Sequence, residues 1–440
     1  MIAKTTRQSL RCRKLATRSS LAGFACLLPG VAFAGTGGLR VAGIPLEFLL
    51  FAATLLGIAL SHRHSLRIAM TGVAVVVLYK LVFTGFHGGP GVSGLVTHLT
   101  GHWVTLANLF LLITGFALLA EHFHQSRLPR YLPHILPDDW KGGFVLLVLV
   151  FVLSGFLDNI AAALIGGTVA ADVFRRKLHI GYLAAIVAAS NAGGAGSVVG
   201  DTTTTMMWIA GVSPLDVVHA YVAASVALVV FGIPAAIRQQ RHSPIRKDPP
   251  EGAHLDWPRI VIVLKVLVVA IGTNVTINLA FPEVAEDFPW IGSAVWGSLL
   301  LASPLRGPSF AEFPAAARGS VFLLSLVLSA SMMPVNELPS PSWVSTFGLG
   351  AVSAIFDNIP LTALALEQGG YDWGMLAYAV GFGGSMVWFG SSAGVALCAQ
   401  FPEGRSAIEW LKGGWFIVAA YAAGFAVLLT TLGWHPVAVR

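Results

Sequence analysis

Two stretches of this chain, "SGFLDNIAAALIGG" (Ser154–Gly167) and "SAIFDNIPLTALAL" (Ser353–Leu366), share the pattern Ser-x-x-Φ-Asp-Asn-Ile, where Φ is a large apolar residue. Each stretch places an aspartate and an asparagine in apolar surroundings, and no Lys or Arg lies within ten positions of the second stretch. A carboxylate in such surroundings is costly unless it is protonated or paired with a cation. The repetition therefore predicts a function for Asp158 and Asp357.

The composition is that of a membrane protein. The chain has 440 residues, of which 55% are hydrophobic and 11% are charged, whereas a soluble domain carries about 25% charged residues. Apolar runs of about 17–25 residues recur along the chain, as in polytopic helical membrane proteins. Three scattered cysteines indicate neither a disulfide framework nor a metal cluster. The sequence contains no P-loop and no nucleic-acid-binding motif, so we expect neither ATP nor nucleic acid as a partner, and membrane lipid as the surroundings.

The hydropathy pattern predicts about ten transmembrane helices, at 45–61, 67–86, 102–120, 181–211, 215–237, 259–281, 290–304, 319–334, 372–400 and 413–433. Two apolar pairs, 142–157 with 160–174 and 343–356 with 359–367, have arms too short to cross about 30 Å comfortably at about 1.5 Å per residue. We expect these pairs, 142–174 and 343–367, to be re-entrant hairpins with Asp-Asn at their tips. The predicted fold class is an all-α polytopic membrane protein.

The distribution of basic residues predicts the orientation. Residues 1–34 combine a basic region, an apolar core and Ala32-Phe33-Ala34, a pattern that predicts a signal peptide. With the mature N-terminus outside, 17 Lys and Arg residues fall in inside segments and only Arg40 and Arg440 fall outside. This asymmetry predicts a multi-pass protein of a bacterial-type inner (cell) membrane.

The chain divides into two similar halves, 35–237 and 259–440, at the polar linker 238–258. Each half has its hairpin followed by a glycine-rich stretch, predicted as a broken helix at 181–211 and at 372–400. The predicted orientation opens the first hairpin inside and the second outside, which is the inverted-topology repeat of secondary transporters. Glycines allow such helices to unwind and backbones to approach closely; the predicted helix-break glycines are Gly193, Gly194 and Gly200 in the first half and Gly383, Gly384 and Gly390 in the second.

The carboxylates suggest what is bound. Of 21 acidic residues, only Asp158, Asp201 and Asp357 lie deep in the predicted membrane. Sodium and lithium prefer oxygen ligands, so a carboxylate for which a proton and a metal ion compete would give exchange. The three aspartates are therefore candidate sodium ligands. The predicted ion- and proton-binding residues are Asp158, Asn159, Asp201, Thr202, Asp357, Asn358, Ser391 and Ser392; Asn191 and Ser385 are further candidates.

The motifs "FDNIP", "SNAGGAGSVVGDTTTTMMWI" and "GGSMVWFGSSAGVA" resemble those of NhaD-type sodium/proton antiporters. These belong to the ion-transporter superfamily, which also contains citrate, dicarboxylate and arsenite carriers. The resemblance covers residues 45–433. It implies a scaffold and a transport domain, a homodimer, elevator-like alternating access, and exchange of sodium or lithium for protons without a cofactor.

Two alternatives to a cation antiporter are open. An organic-anion (citrate or dicarboxylate) or arsenite carrier of the same superfamily would need compensating cations at the hairpin tips, where the sequence has Asp158 and Asp357. An enzyme such as an intramembrane aspartyl protease would need Gly-x-Gly-Asp, where this chain has Val198-Val199-Gly200-Asp201. We therefore expect a transporter and no enzyme.

Overall fold

A computed structural model describes residues 38–61, 64–86, 88–128, 136–246, 255–284, 287–311 and 313–438. The predicted signal peptide lies outside these residues, as do residues 247–254 of the polar linker. The only β-structure among the described residues is a small antiparallel hairpin, formed by β1 (Arg40–Val41) and β2 (Ile44–Pro45), in addition to one isolated bridge. The rest of the regular structure is helical.

The first half contains nine described helices. They are α1 (Leu46–Leu60), α2 (Ser65–Tyr79, continued by a π-turn over Lys80–Thr84), α3 (Gly91–Gln125), α4 (Trp140–Ser154), α5 (Asn159–Val173), α6 (Ile180–Ala195), α7 (Thr202–Ile209), α8 (Pro214–Val218) and α9 (Ala220–His242). Helix α3 extends beyond the predicted span at both ends, because polar residues such as His98 and Thr100 lower the hydropathy there without interrupting the helix.

The second half also contains nine described helices. They are α10 (Trp257–Ala280), α11 (Trp290–Ala302), α12 (Phe313–Ser331), α13 (Trp343–Ser353), α14 (Asn358–Gln368), α15 (Trp373–Gly383), α16 (Ser392–Gln400), α17 (Ala407–Gly413) and α18 (Trp415–Leu432).

The protein is a polytopic helical membrane protein. Six helical segments of the described chain are long and apolar enough to cross a membrane: Ser65–Thr84, Gly91–Gln125, Pro214–His242, Trp257–Ile277, Phe313–Ser331 and Trp415–Leu432. Helices α1, α4, α5, α6 and α11 are apolar but shorter. Charged residues are scarce in all of these segments, as the low polarity of the bilayer interior requires.

Two pairs of short helices are joined by tight turns. We call α4 with α5 the first helical pair and α13 with α14 the second helical pair. The second helix of each pair begins directly after an aspartate, Asp158 or Asp357, which occupies its N-cap position. At about 1.5 Å per residue, α4 and α5 are each about 22 Å long.

Two interrupted helices form the centre of the molecule. The first consists of α6 and α7, and the second consists of α15 and α16. Every residue of α6 from Gly181 onward and every residue of α15 is buried. Helix α6 packs against α4, α9 and α15, and α15 packs against α13, α9 and α18, so that both interruptions lie within the protein interior.

Glycines bring each helical pair into backbone contact with the interrupted helix of its own half. A Cβ atom at Gly193 would lie 2.0 Å from the Phe151 carbonyl oxygen, and one at Gly383 would lie 2.2 Å from the Gly350 carbonyl oxygen. Phe151 and Gly350 occupy equivalent positions, three residues before the serine of each repeated motif. The two halves thus use the same close approach, which only glycine permits.

Equivalent serine hydrogen bonds reinforce this contact. Ser154 Oγ donates to the Ser190 carbonyl oxygen at 2.6 Å, and Ser353 Oγ donates to the Val380 carbonyl oxygen at 2.7 Å. Ser190 and Val380 each lie three residues before the first glycine of the aligned pairs. The repeat seen in the sequence therefore also exists as a repeat of packing.

We expect Gly193→Ala and Gly383→Ala to destabilise the protein by about 1–3 kcal/mol each, because the added methyl group would collide with a backbone carbonyl that cannot rotate away. The measurement is the apparent melting temperature of the detergent-solubilised protein. Gly272→Ala in α10 is the matched control, because a Cβ atom there would meet nothing within 4 Å. Equal melting temperatures for all three variants would contradict the packing described above.

Candidate functional site

The structure brings the predicted polar residues together at four helix N-termini. Asp158-Asn159 begins α5, Asp201-Thr202 begins α7, Asp357-Asn358 begins α14 and Ser391-Ser392 begins α16. Unpaired backbone N–H groups and the helix dipole make such positions favourable for negative charge. The eight residues form one cluster where the two helical pairs meet the two helix interruptions.

One direct hydrogen bond joins the second helical pair to the first interruption. Asn358 Nδ2 donates to Asp201 Oδ2 at 3.2 Å, and both side chains are buried. The other carboxylate oxygen of Asp201 accepts from the Thr203 backbone N–H at 3.3 Å and so caps α7. Asp201 therefore has a structural role in capping and also lies in contact with the other half.

Asn191 joins the first helical pair to the second interruption. Its Oδ1 accepts from Asn159 Nδ2 at 3.2 Å, and its Nδ2 donates to Ser391 Oγ at 3.1 Å and to Ser385 Oγ at 3.0 Å. The tip asparagine of each half thus reaches the N-cap residue of the other half's interrupted helix. Asn358 does so directly, whereas Asn159 does so through Asn191.

The second half has Gly381 at the position equivalent to Asn191. A Cβ atom there would lie 3.5 Å from Asp201 Oδ2, so the small residue leaves room for Asn358 to contact Asp201 directly. The two halves of the site are therefore related in arrangement but unequal in chemistry.

The two tip aspartates have different surroundings. Asp357 accepts from Ser392 Oγ at 2.9 Å and from the Ile359 backbone N–H at 3.2 Å. No side-chain hydroxyl group of the described residues bonds Asp158 in this way. Within the described part of the chain, no Lys or Arg side chain pairs with Asp158, Asp201 or Asp357. The negative charge of these groups is therefore not compensated by a basic side chain.

The larger of two cavities at the site has a volume of about 560 Å³ and lies between the site and helices α3 and α12. Its polar lining at the site consists of Asp158, Asp201, Thr202, Thr205 and Ser392. Two further ionisable residues, Glu121 and His124, line it near the end of α3. The remaining walls are mainly apolar.

The smaller cavity, of about 240 Å³, reaches Asp357 from another direction. It is lined by α1, the first residue of α2, α12 and α16. Ser392 lines both cavities, since its side chain lies between Asp357 and the larger cavity. Asp158 therefore lines the larger cavity and Asp357 lines the smaller one, and the Ser392 hydroxyl group is common to both.

The site offers carboxylate, hydroxyl and amide oxygens, the ligands that hard cations prefer. Within the described residues, no three His, Cys, Asp or Glu side chains lie together as a metal-binding group.

Comparison with known proteins points to one class of relative. Sodium/proton antiporter 1 of Arabidopsis thaliana is 27% identical over 395 residues, which cover 79% of this chain and 64% of the relative. Sodium/proton antiporter 2 of the same plant is 26% identical over 426 residues, covering 86% of this chain and 94% of the relative. The Na(+)/H(+) antiporter NhaD of Alkalimonas amylolytica is 27% identical over 339 residues, covering 66% and 68%.

No family model matches the chain. The chain spans slightly less than two thirds of the length of the first of these relatives. The polytopic helical membrane protein described above is thus similar, over much of its length, to proteins named sodium/proton antiporters. This similarity confirms the resemblance that the motifs predict.

We expect Asn191→Ala to lower the free energy of unfolding by about 1–3 kcal/mol, because it leaves buried polar groups of both halves without partners. The measurement is the melting temperature in detergent. Gln400→Ala is the control: Gln400 Nε2 also joins the halves, through Thr168 Oγ1, but this contact is exposed. A similar effect of both variants would argue against a special role for the buried amide.

Proposed function

We propose that the protein is a secondary active transporter that exchanges sodium or lithium for protons across the inner membrane by alternating access. The observation that carries this proposal is the larger cavity, in which Asp158 and Asp201 lie with hydroxyl groups and without a basic partner. The similarity to sodium/proton antiporters supports it. The bound ions are the cargo, and no cofactor is needed.

The proposed exchange follows from the cost of burying charge. A carboxylate in a low-dielectric interior is stable when it holds a proton or pairs with a cation, and it is costly when it holds neither. A site that holds a proton or a cation can therefore move between the two sides of the membrane. The empty, charged site moves more slowly. Because proton and sodium compete for the same oxygens, the entry of one displaces the other.

The oxygens that would hold the cargo are those of Asp158, Asp201, Thr202, Thr205 and Ser392. Asp357 is held by Ser392 and by the backbone of α14, so it would respond to the cation through that shared hydroxyl group. The lack of a basic side chain at these oxygens disfavours a citrate-like or arsenite-like anion, which two or three carboxylates would repel.

The proposed state of the structure is open to the inside. Both cavities extend towards ends that the basic-residue distribution places inside: the end of α3 and the turn between α1 and α2. The opposite ends of α2 and α12 are held together by Lys80 Nζ, which donates to the Met332 carbonyl oxygen at 2.8 Å. His98 and Ser331 make a further buried hydrogen bond there, at 3.0 Å.

The proposal also includes the membrane arrangement of the helical pairs and the assembly of two chains. The two helical pairs are taken to be re-entrant hairpins related by an inverted repeat, and two copies of the chain are taken to form a homodimer, as the resemblance implies. The shortness of α4, α5, α13 and α14 supports the re-entrant arrangement.

We expect Asp158→Asn and Asp357→Asn to abolish the collapse of a pH gradient that added sodium or lithium causes in everted membrane vesicles. Asp158→Asn removes a charge for which proton and cation compete, and Asp357→Asn removes the charge that holds the Ser392 hydroxyl group at the site. Asp139→Asn is the control, because Asp139 is exposed, caps α4 and lines neither cavity. Full activity of either tip variant would refute the assignment of the site.

The re-entrant arrangement predicts how a cysteine at the first tip reacts. Phe156 lies in the turn of the first helical pair and is 58% exposed. In a background with the native cysteines replaced by serine, Phe156→Cys in intact cells should resist a membrane-impermeant maleimide. Ser340→Cys, at an exposed position predicted to lie outside, should react. Equal labelling at both positions would show instead that the first pair crosses the membrane.

A further inference from the structure

The larger cavity follows one face of α3 for several turns. Leu112, Phe116 and Ala120 line it in succession, and Glu121 and His124 line it at the end of the helix. From Leu112 to His124 this face is about 18 Å long. The opposite wall is α5, which lines the cavity from Asp158 to Thr168, over about 15 Å. The cavity therefore has the form of a passage with the site at one end.

Glu121 lies near the other end of this passage. It follows directly after the span 102–120 that hydropathy predicts, so it belongs to the inner interface of the membrane. Its side chain is half-buried, and its carboxylate accepts a hydrogen bond from Gln125 Nε2 on the next turn of α3. It is therefore held in place rather than free in solvent.

The charges that face the passage are few. Among the described lining residues, the acidic groups are Glu121, Asp158 and Asp201, and the one basic group is His124. The walls between them are apolar, with Phe116, Leu164 and Phe322 as large contributors. A cleft of one charge sign with low-dielectric walls focuses the electric field and concentrates ions of opposite sign.

Three described basic groups near the end of α3 have partners outside the passage. His122 is buried and its Nδ1 lies 3.0 Å from Arg259. Arg259 and Arg306 both pair with Asp256, at 3.4 Å and 2.9 Å. The hydrogen bond from Arg306 lowers the pKa of Asp256, so this carboxylate stays ionised and offsets one of the two positive charges. Neither guanidinium group lines the passage, so Glu121 is the acidic group that the mouth itself presents to an entering ion.

We propose that Glu121 is a cation-collecting residue at the inner mouth of the passage, which concentrates sodium or lithium before they reach Asp158 and Asp201. This inference rests on the proposed function and deepens it. Glu121 does not hold the transported ion in the site. It acts on the rate at which cations enter from one side of the membrane, and it favours cations over anions.

The test is Glu121→Gln, which removes the charge but keeps an amide that can bond Gln125. In everted vesicles, whose cytoplasmic face is outside, the sodium concentration that gives half-maximal exchange should rise about tenfold at low ionic strength, with an unchanged maximal rate. The difference should shrink when inert salt shortens the Debye length from about 30 Å to about 8 Å. The measurements are made at about pH 8.5, because this pH lies above the usual titration range of imidazole.

The controls separate the proposed electrostatic effect of Glu121 on cation entry from an effect of the substitution on the structure. Glu409→Gln removes an exposed carboxylate on the same predicted side, outside the cavity lining, and should leave half-saturation unchanged. In right-side-out vesicles, where sodium is added to the opposite face, Glu121→Gln should also leave half-saturation unchanged. Glu121→Asp should restore most of the wild-type behaviour, because it restores the charge.

Three results would overturn the inference while the proposed function stands: an unchanged half-saturation in Glu121→Gln, an equal rise on both faces, or a loss of maximal rate that inert salt does not affect. A wild-type protein that shows no sodium-dependent response would instead overturn the proposed function, and the inference with it. The two failures are therefore distinguishable, because the wild-type protein is measured beside each variant.

Discussion

The burial of carboxylates without basic partners is the constraint on which the rest of the site depends. Asp158, Asp201 and Asp357 lie at helix N-termini inside an apolar bundle, and no Lys or Arg of the described chain pairs with them. Helix N-termini reduce the cost of negative charge but do not remove it. The short helices and interrupted helices bring several such N-termini to one place, where hydroxyl and amide groups can also reach. A site of this kind is stable when it holds a proton or a cation, and this is the property that an obligatory exchanger needs.

The two halves supply similar backbones and different side chains. Gly193 and Gly383 make equivalent backbone contacts, and Ser154 and Ser353 make equivalent hydrogen bonds. At the centre, however, Asp201 has Ser391 as its counterpart, and Asn191 has Gly381. The larger cavity consequently has two carboxylates of the site in its lining, Asp158 and Asp201, whereas Asp357 lies beside a smaller cavity and is bonded to Ser392. Hydrogen bonds connect the two halves of the site, directly from Asn358 to Asp201 and through Asn191 from Asn159 to Ser391.

The same contacts define which parts can move together. Backbone contacts at glycine hold each helical pair against the interrupted helix of its own half, and the buried amide of Asn191 holds the two halves together. Helices α3 and α12 face this unit across the larger cavity, mainly through apolar side chains. Apolar contacts lack direction and can be exchanged for similar ones at little cost, whereas buried hydrogen bonds cannot. The arrangement supports motion of the central unit relative to α3 and α12, as the proposed alternating access requires.

The sequence by itself determined the features that depend on local composition and on repetition. The class of protein, the short helical pairs at residues near 142–174 and 343–367, and the unusual aspartates could all be predicted, because hydropathy and the repeated motifs are local properties of the chain. The predicted span 102–120 was shorter than α3, since hydropathy reports apolar surroundings and not where a helix ends. Only the tertiary structure decided that Asn191 bridges the halves, that Asp357 is bonded to Ser392 while Asp158 faces the larger cavity, and that Glu121 lines the same passage as Asp158. These relations join residues far apart in the chain, and they depend on how the two halves dock, which no local pattern encodes.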